Sequence, residues 1–71
     1  MTVCSFKINS TCFTDIMKIV KDTDVYCMYK QEDDMYIIYT DEENLAKIMY
    51  FNKNRFLQEF LQDVGNKYFG W

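Results

Sequence analysis

The chain of 71 residues has a net charge of −3, is 49% hydrophobic and contains six Phe, six Tyr and one Trp. A chain of this size forms one domain that buries only about 60% of its unfolded surface, and its high content of aromatic residues excludes the disordered class. It contains no histidine, so the commonest general base and the usual transition-metal ligand are both missing.

The first half of the sequence predicts a strand, a helix and a hairpin, in that order. Cys4, Phe6 and Ile8 alternate with other residues in TVCSFKI, which is the period of a half-buried strand. Apolar residues then recur at helical spacing through residues 11–21. VYCMYK and MYIIYT are rich in β-branched and aromatic residues. The polar residues 31–34 between them predict a hairpin with a loop of about four residues.

The segment that follows the hairpin predicts a long helix. Thr40 and Glu43 have the spacing of a capping box, and an apolar stripe runs from there toward Gly65, which suits the stop position just beyond a helix. We favour one continuous helix, with a kink or a helix–turn–helix break at residues 52–54 as the alternative, because NKN contains poor helix formers. Residues 64–71 are left as an aromatic tail, and we favour its packing onto the core over its presentation to a partner.

These elements predict a single α+β domain over residues 1–71, ordered β-α-β-β-α, with a three-stranded sheet and two helices packed on one face. Such an arrangement leaves the second face of the sheet open. Depending on the register of the hairpin, that face would present one of two apolar sets: Tyr26, Met28, Tyr36 and Ile38, or Tyr29, Ile37 and Tyr39. Because large apolar patches mark interaction sites, we expect a partner to cover it.

Acidic residues are concentrated in the middle of the chain. Residues 22–43 hold eight carboxylates against Lys30 alone, a net charge of −7, whereas residues 1–21 and 44–71 each carry +2. One interpretation is local, since acids suit turns and the first turn of a helix. The other is recognition: a hairpin would hold acids at its turn and at its strand roots about 17 Å apart. Acids at this separation are complementary to a basic protein surface, or they imitate the spaced phosphates of nucleic acid.

The sequence predicts no catalytic, metal or cofactor site. Three cysteines without CxxC spacing argue against a disulfide framework and are interpreted as reduced, mostly buried hydrophobic residues. No phosphate-binding glycine loop or EF-hand pattern is present, so we do not expect an enzyme. Direct nucleic-acid binding is not expected either, because the acidic segment repels a phosphate backbone. Without a signal-peptide pattern or an apolar stretch of about 18 residues, we expect a cytoplasmic protein with no membrane association.

The composition of the whole chain is similar to that of the small accessory proteins of tailed, T-even-like bacteriophages: very short, free of proline, and rich in Tyr, Asp, Asn, Lys and Met. The resemblance includes no specific motif. It implies a non-enzymatic protein-binding module, an inhibitor or modulator that occupies a surface of a host enzyme, defence complex or toxin in the host cytoplasm. The alternatives are a structural or assembly protein that forms a homodimer through its open sheet face, and a nucleic-acid mimic or binder.

Two groups of residues are predicted to contact the partner protein. The first supplies charge and consists of five acids of the middle segment: Glu32, Asp33, Asp34, Asp41 and Glu42. The second supplies apolar anchors and consists of three tyrosines of the hairpin region: Tyr26, Tyr36 and Tyr39. No cofactor or metal accompanies them in this hypothesis.

Overall fold

The computed structural model describes residues 2–71, which form three strands and three helices. In chain order these are β1 Val3–Asn9, α1 Ser10–Asp22, β2 Met28–Glu32, β3 Met35–Asp41, α2 Glu42–Phe51 and α3 Arg55–Phe69. The predicted α+β class and the three-stranded sheet are confirmed. The predicted count of two helices is wrong, because the segment after the hairpin forms two helices.

The sheet is fully antiparallel, with β3 in the centre between β1 and β2. Ile38 of β3 lies opposite Phe6 of β1 and opposite Tyr29 of β2, and this pairing fixes which side chains share a face. The hairpin turn has two residues rather than the predicted four, since Gln31 and Glu32 continue β2. Asp33 adopts a left-handed backbone with φ of 58°, a conformation that Asp tolerates better than most residues.

All three helices contribute to one core on one face of the sheet, and the interior consists of apolar side chains from both layers. We call this side of the sheet the helix-covered face; it carries Cys4, Phe6, Ile8, Tyr29, Gln31, Tyr36, Ile38 and Thr40. Ile16, Leu45, Ile48, Leu57 and Leu61 pack against it from the helices and are fully or almost fully buried.

A pair of asparagines ends α2 and starts α3. The Asn52 backbone N–H donates to the Ile48 carbonyl at 2.9 Å, and Asn52 itself is extended. The side chain of Asn54 caps α3 by accepting from the Leu57 N–H at 3.2 Å. Asn side chains compete with helix formation by bonding nearby backbone groups, and here the Asn52 amide donates to the Asn54 carbonyl at 2.8 Å. The favoured single helix is therefore wrong, and the alternative break at residues 52–54 is confirmed.

The cap of α2 is one residue later than predicted. Asp41 occupies the N-cap position, and its carboxylate accepts from the Asn44 N–H at 2.9 Å. Thr40 is buried, and its hydroxyl donates to the Tyr26 carbonyl at 2.9 Å. The predicted capping box of Thr40 and Glu43 is therefore wrong, because Thr40 fastens the chain before β2 to the end of β3.

Gly65 does not stop α3, which continues to Phe69 and ends at Gly70 with a left-handed φ of 70°. The reason for glycine at position 65 is a side chain: a Cβ there would overlap the ring of Trp71. The Trp71 backbone N–H donates to the Gly65 carbonyl at 3.2 Å, and the ring packs against the core. The favoured packing of the aromatic tail onto the core is confirmed, although most of residues 64–71 is helical.

Candidate functional site

The face of the sheet opposite the helices is left uncovered by the described core. We call it the open face; it carries Val3, Ser5, Lys7, Met28, Lys30, Glu32, Met35, Ile37 and Tyr39, which the strand register places together. Val3 is 52% exposed, Met28 60% and Tyr39 38%. The hydroxyl of Tyr68 approaches one edge of this face, 3.5 Å from the Ser5 hydroxyl. Tyr39 lies beside Met28 and diagonal to Val3, so these three side chains form an apolar strip at the end of the open face away from the hairpin turn.

An ion pair crosses the central strand on the open face, near the hairpin turn. Lys7 of β1 donates to a carboxylate oxygen of Glu32 on β2 at 3.0 Å, and both side chains are about half exposed. The hydrogen bond and charge of Lys7 lower the pKa of the Glu32 carboxyl. An exposed pair of this kind contributes little to stability. Its consequence is that Glu32, a predicted partner contact, already has a cation beside it.

The five predicted acids lie in two groups at opposite ends of β3. Asp33 and Asp34 form the exposed hairpin turn, close to Glu32. Asp41 and Glu42 lie at the start of α2, about 20 Å away at the rise of a strand. The predicted separation of acids at the turn and at the strand root therefore corresponds to the geometry of the hairpin.

Both acids at the α2 end already have partners inside the chain. Asp41 accepts from the backbone N–H and the side-chain amide of Asn44, and these hydrogen bonds lower the pKa of its carboxyl. Glu42 accepts a hydrogen bond from the Trp71 indole N–H at 2.8 Å. Within the described residues, neither Asp33 nor Asp34 forms an ion pair, so the turn holds the acids that are freest to meet a partner.

The three predicted tyrosine anchors lie in three different environments. Tyr39 is on the open face, and Tyr26 is 66% exposed just before β2. Tyr36 is on the helix-covered face, where its ring stacks on Phe13 with the centroids 3.7 Å apart and the planes within 4°. Tyr36 is therefore not an open-face anchor, because it closes the rim of the core.

Both predicted sets for the open face mixed the two faces of the sheet. Met28, Ile37 and Tyr39 lie on the open face, whereas Tyr29, Tyr36 and Ile38 lie on the helix-covered face. The sequence interpretation also missed Val3 and Met35, which the pairing of β1 and β2 with β3 adds to the open face. The alternation within β1 already placed Val3 away from Cys4, but the order of the strands was needed to put it diagonal to Tyr39 on the same face.

A groove lies between α1 and the α2–α3 connection. It is an open groove of about 410 Å³, lined by both signs of charge: Asp15, Lys18, Asp22 and Lys53 are among its residues. Asp15 is already held, since its carboxylate accepts from the Asn54 side-chain amide at 2.9 Å. The mixture of charges does not indicate one class of ligand.

The described residues offer little reactive chemistry. No group of three or more potential metal ligands occurs among residues 2–71. Burial raises the pKa of all three thiols, Cys4, Cys12 and Cys27, so each is a weaker nucleophile at neutral pH than an ordinary cysteine. Cys4 is in addition fully buried. The open face therefore stands out as a surface for contact.

A scan of the sequence against protein-family models finds no match, and searches of the curated proteins and of the solved structures find none either. Within the part of the chain that the structure describes, every helix is too short or too polar to cross a membrane. The indications of a function therefore come from the physical features of the surface.

Proposed function

We propose that this chain is a non-enzymatic protein-binding module that docks on a basic surface of another protein through the open face and the acidic hairpin turn. One observation supports this most directly: all three helices pack on one side of the sheet, and Val3, Met28 and Tyr39 are left substantially exposed on the other. Exposed apolar side chains in a contiguous strip are typical of an interaction surface.

The apolar strip is too small to hold a micromolar complex together by itself. Full burial of a large apolar side chain contributes about 1.5–3 kcal/mol, so covering three that are about half exposed contributes about 2–4 kcal/mol. A micromolar complex needs about 8 kcal/mol. Further contacts are therefore required. Hot spots in interfaces are enriched in tyrosine, and Tyr26, 66% exposed just before β2, is a candidate for such a contact.

Charge supplies the second part of the interaction. Asp33 and Asp34 extend beyond the ends of β2 and β3, and the middle segment of the chain carries a net charge of −7. Clustered charge of one sign accelerates encounter with a surface of the opposite sign and sets orientation more than affinity. A partner with a cationic rim around an apolar patch fits both features.

The similarity in composition to small bacteriophage accessory proteins supports a host protein as the partner. In this proposal the chain acts by occupying a surface of a host enzyme, defence complex or toxin in the host cytoplasm, as an inhibitor or modulator. It needs no cofactor and no metal for this activity.

Affinity capture with matched variants tests the proposal. The tagged chain is compared, in a bacterial lysate, with an open-face double variant, Met28→Ser with Tyr39→Ser. The control is Tyr50→Ser with Phe56→Ser, because these side chains are the most exposed large hydrophobics and lie on helices. We expect one protein to be retained by the wild type and by the control but lost with the open-face variant.

The contribution of the turn is measured on the protein so identified. Asp33→Asn with Asp34→Lys reverses the charge of the turn from −2 to +1, and Asn suits the left-handed backbone at position 33. We expect a slower association rate that depends less on salt concentration, with circular dichroism unchanged. Retention that is equal for the wild type and the open-face variant would refute docking through this face.

A further inference from the structure

Among residues 2–71, no strand pairs with the outer edge of β2. The strand pairs with β3 on one side only, and all five of its residues, Met28–Glu32, are exposed. The other edge strand, β1, has α3 beside it, where Phe60 contacts Phe6 edge to face at 5.8 Å and Tyr68 approaches Ser5. The two edges of the sheet are therefore not equivalent.

The register shows which backbone groups of β2 point outward. In a hairpin with a two-residue turn, the pair next to the turn exchanges both hydrogen bonds, and bonded pairs then alternate with non-bonded pairs. Glu32, Lys30 and Met28 bond to β3 in this pattern. The N–H and C=O groups of Tyr29 and Gln31 therefore face away from the sheet, and such groups are a template for another strand.

We propose that β2 pairs antiparallel with β2 of a second copy of the chain, centred on Gln31, and joins the two sheets into one of six strands. A two-fold axis through Gln31 brings its outward N–H and C=O opposite the same groups of the second copy. It also places Lys30 opposite Glu32 of the second copy, twice, and opposite charges in cross-strand positions are favourable.

Charge selects this register over its neighbours. A two-fold axis centred on Lys30 would place two like charges directly opposite each other, which is destabilising. One centred on Tyr29 would place Lys30 opposite Met28, so neither charge of the strand would meet an opposite charge across the interface. The sequence Lys30-Gln31-Glu32 is thus self-complementary in one antiparallel alignment only.

A lysine on an edge strand commonly protects the edge from pairing with another strand. In the register proposed here, Lys30 supports pairing instead. A protective lysine opposes every incoming strand, whereas here Glu32 of the second copy neutralises it. The ladder is short, because the left-handed backbone of Asp33 ends it.

In the dimer the two open faces lie on the same side and form one continuous surface. Pairing of the β2 edges does not depend on the docking proposed above.

Sedimentation of the purified chain over a dilution series tests the pairing, with no partner present. We expect a reversible monomer–dimer equilibrium. Lys30→Glu places like charges opposite each other twice and should raise the dimer dissociation constant about tenfold. The swap Lys30→Glu with Glu32→Lys restores complementarity and should return it close to the wild-type value.

Two further variants separate this interface from other contacts. Gln31→Pro removes the outward N–H but no hydrogen bond to β3, a position where an edge strand tolerates proline; we expect a folded monomer by circular dichroism. Met28→Ser with Tyr39→Ser should leave the dimer intact. A wild type that is monomeric at every concentration, a Lys30→Glu variant with unchanged dimerisation, or loss of the dimer in the open-face variant would overturn the proposal.

Discussion

Glycine at position 65 should have opposite effects on stability depending on whether Trp71 is present. In an ordinary helix interior, Gly→Ala stabilises by about 1 kcal/mol through helix propensity. In this helix the new methyl group would overlap the Trp71 ring, so the ring must leave the site. Gly65→Ala therefore adds stability through helix propensity and removes stability through the loss of a packed aromatic side chain.

The loss is limited to what Trp71 itself contributes. Deleting a core aromatic side chain costs about 3–5 kcal/mol, and Trp71 is only half-buried, so about 2 kcal/mol is the appropriate scale. Its hydrogen bond to Glu42 is exposed and adds little to that. We expect Gly65→Ala to destabilise the wild type by about 1 kcal/mol, a large part of the 3–5 kcal/mol available to a domain of this size.

A double-mutant cycle measured by urea denaturation checks the reasoning. Trp71→Ala should cost about 2 kcal/mol, and adding Gly65→Ala to it should then stabilise by about 1 kcal/mol, because the site above position 65 is empty. The sign reversal is the diagnostic result, and far-ultraviolet circular dichroism follows all four proteins equally. If Gly65→Ala stabilises the wild type as well, Trp71 does not occupy that site in solution.

Three other predictions concern a cap, an aromatic pair and the helix break. Asp41→Ala should lower the free energy of unfolding by about 1 kcal/mol and Asp41→Asn by less, because both Asp and Asn cap helices. Since the folded state lowers the pKa of the Asp41 carboxyl below its ordinary 3.8, its contribution is complete above that pH, is lost as pH falls through the lower folded value, and should be missing from an acid titration of Asp41→Asn. Tyr36→Ala should destabilise by about 2 kcal/mol or more through the lost stack on Phe13, whereas Tyr39→Ala should change thermal stability little and reduce partner binding. Asn54→Ala should cost about 1 kcal/mol in urea denaturation, and Asn54→Asp should retain the cap of α3 while placing a second carboxylate beside Asp15, so its stability should increase with added salt.

Local periodicity was sufficient to predict the strands and α1, because each depends on residues that are close in sequence. The alternation of Cys4, Phe6 and Ile8 and the aromatic hairpin both correspond to strands of the sheet. What the sequence left open was pairing over long distances. The position of β3 between β1 and β2 decides which tyrosines share a face, and nothing within six or seven residues of Tyr36 or Tyr39 indicates it.

The errors at helix ends have a common physical cause. Thr40, Gly65 and the 52–54 segment each contain residues with a familiar local role, namely a cap, a stop and a helix breaker. At Thr40 and Gly65 a contact with a distant part of the chain takes precedence, with the Tyr26 carbonyl in one case and the Trp71 ring in the other. At 52–54 the distant contact of Asn54 with Asp15 uses the amide nitrogen and leaves the amide oxygen to cap α3, so the local interpretation of a break is correct.

For the acids of the middle segment, the position of each residue and its negative charge have separate explanations. Asp41 caps α2, Glu42 holds the Trp71 indole and Asp33 forms the hairpin turn, so a local role accounts for where each one lies. None of these roles requires a negative charge: Asn caps helices as well as Asp does, Asn suits the left-handed turn position, and a Gln carbonyl accepts an indole hydrogen bond. The chain nevertheless carries carboxylates at all three sites and adds Asp34 beside Asp33 in the hairpin turn. The helix dipole and the Asn44 hydrogen bonds favour the charges at the α2 end, but they do not act on the charges of Asp33 and Asp34 at the turn. In the proposed function, a basic surface of the partner accounts for these two charges.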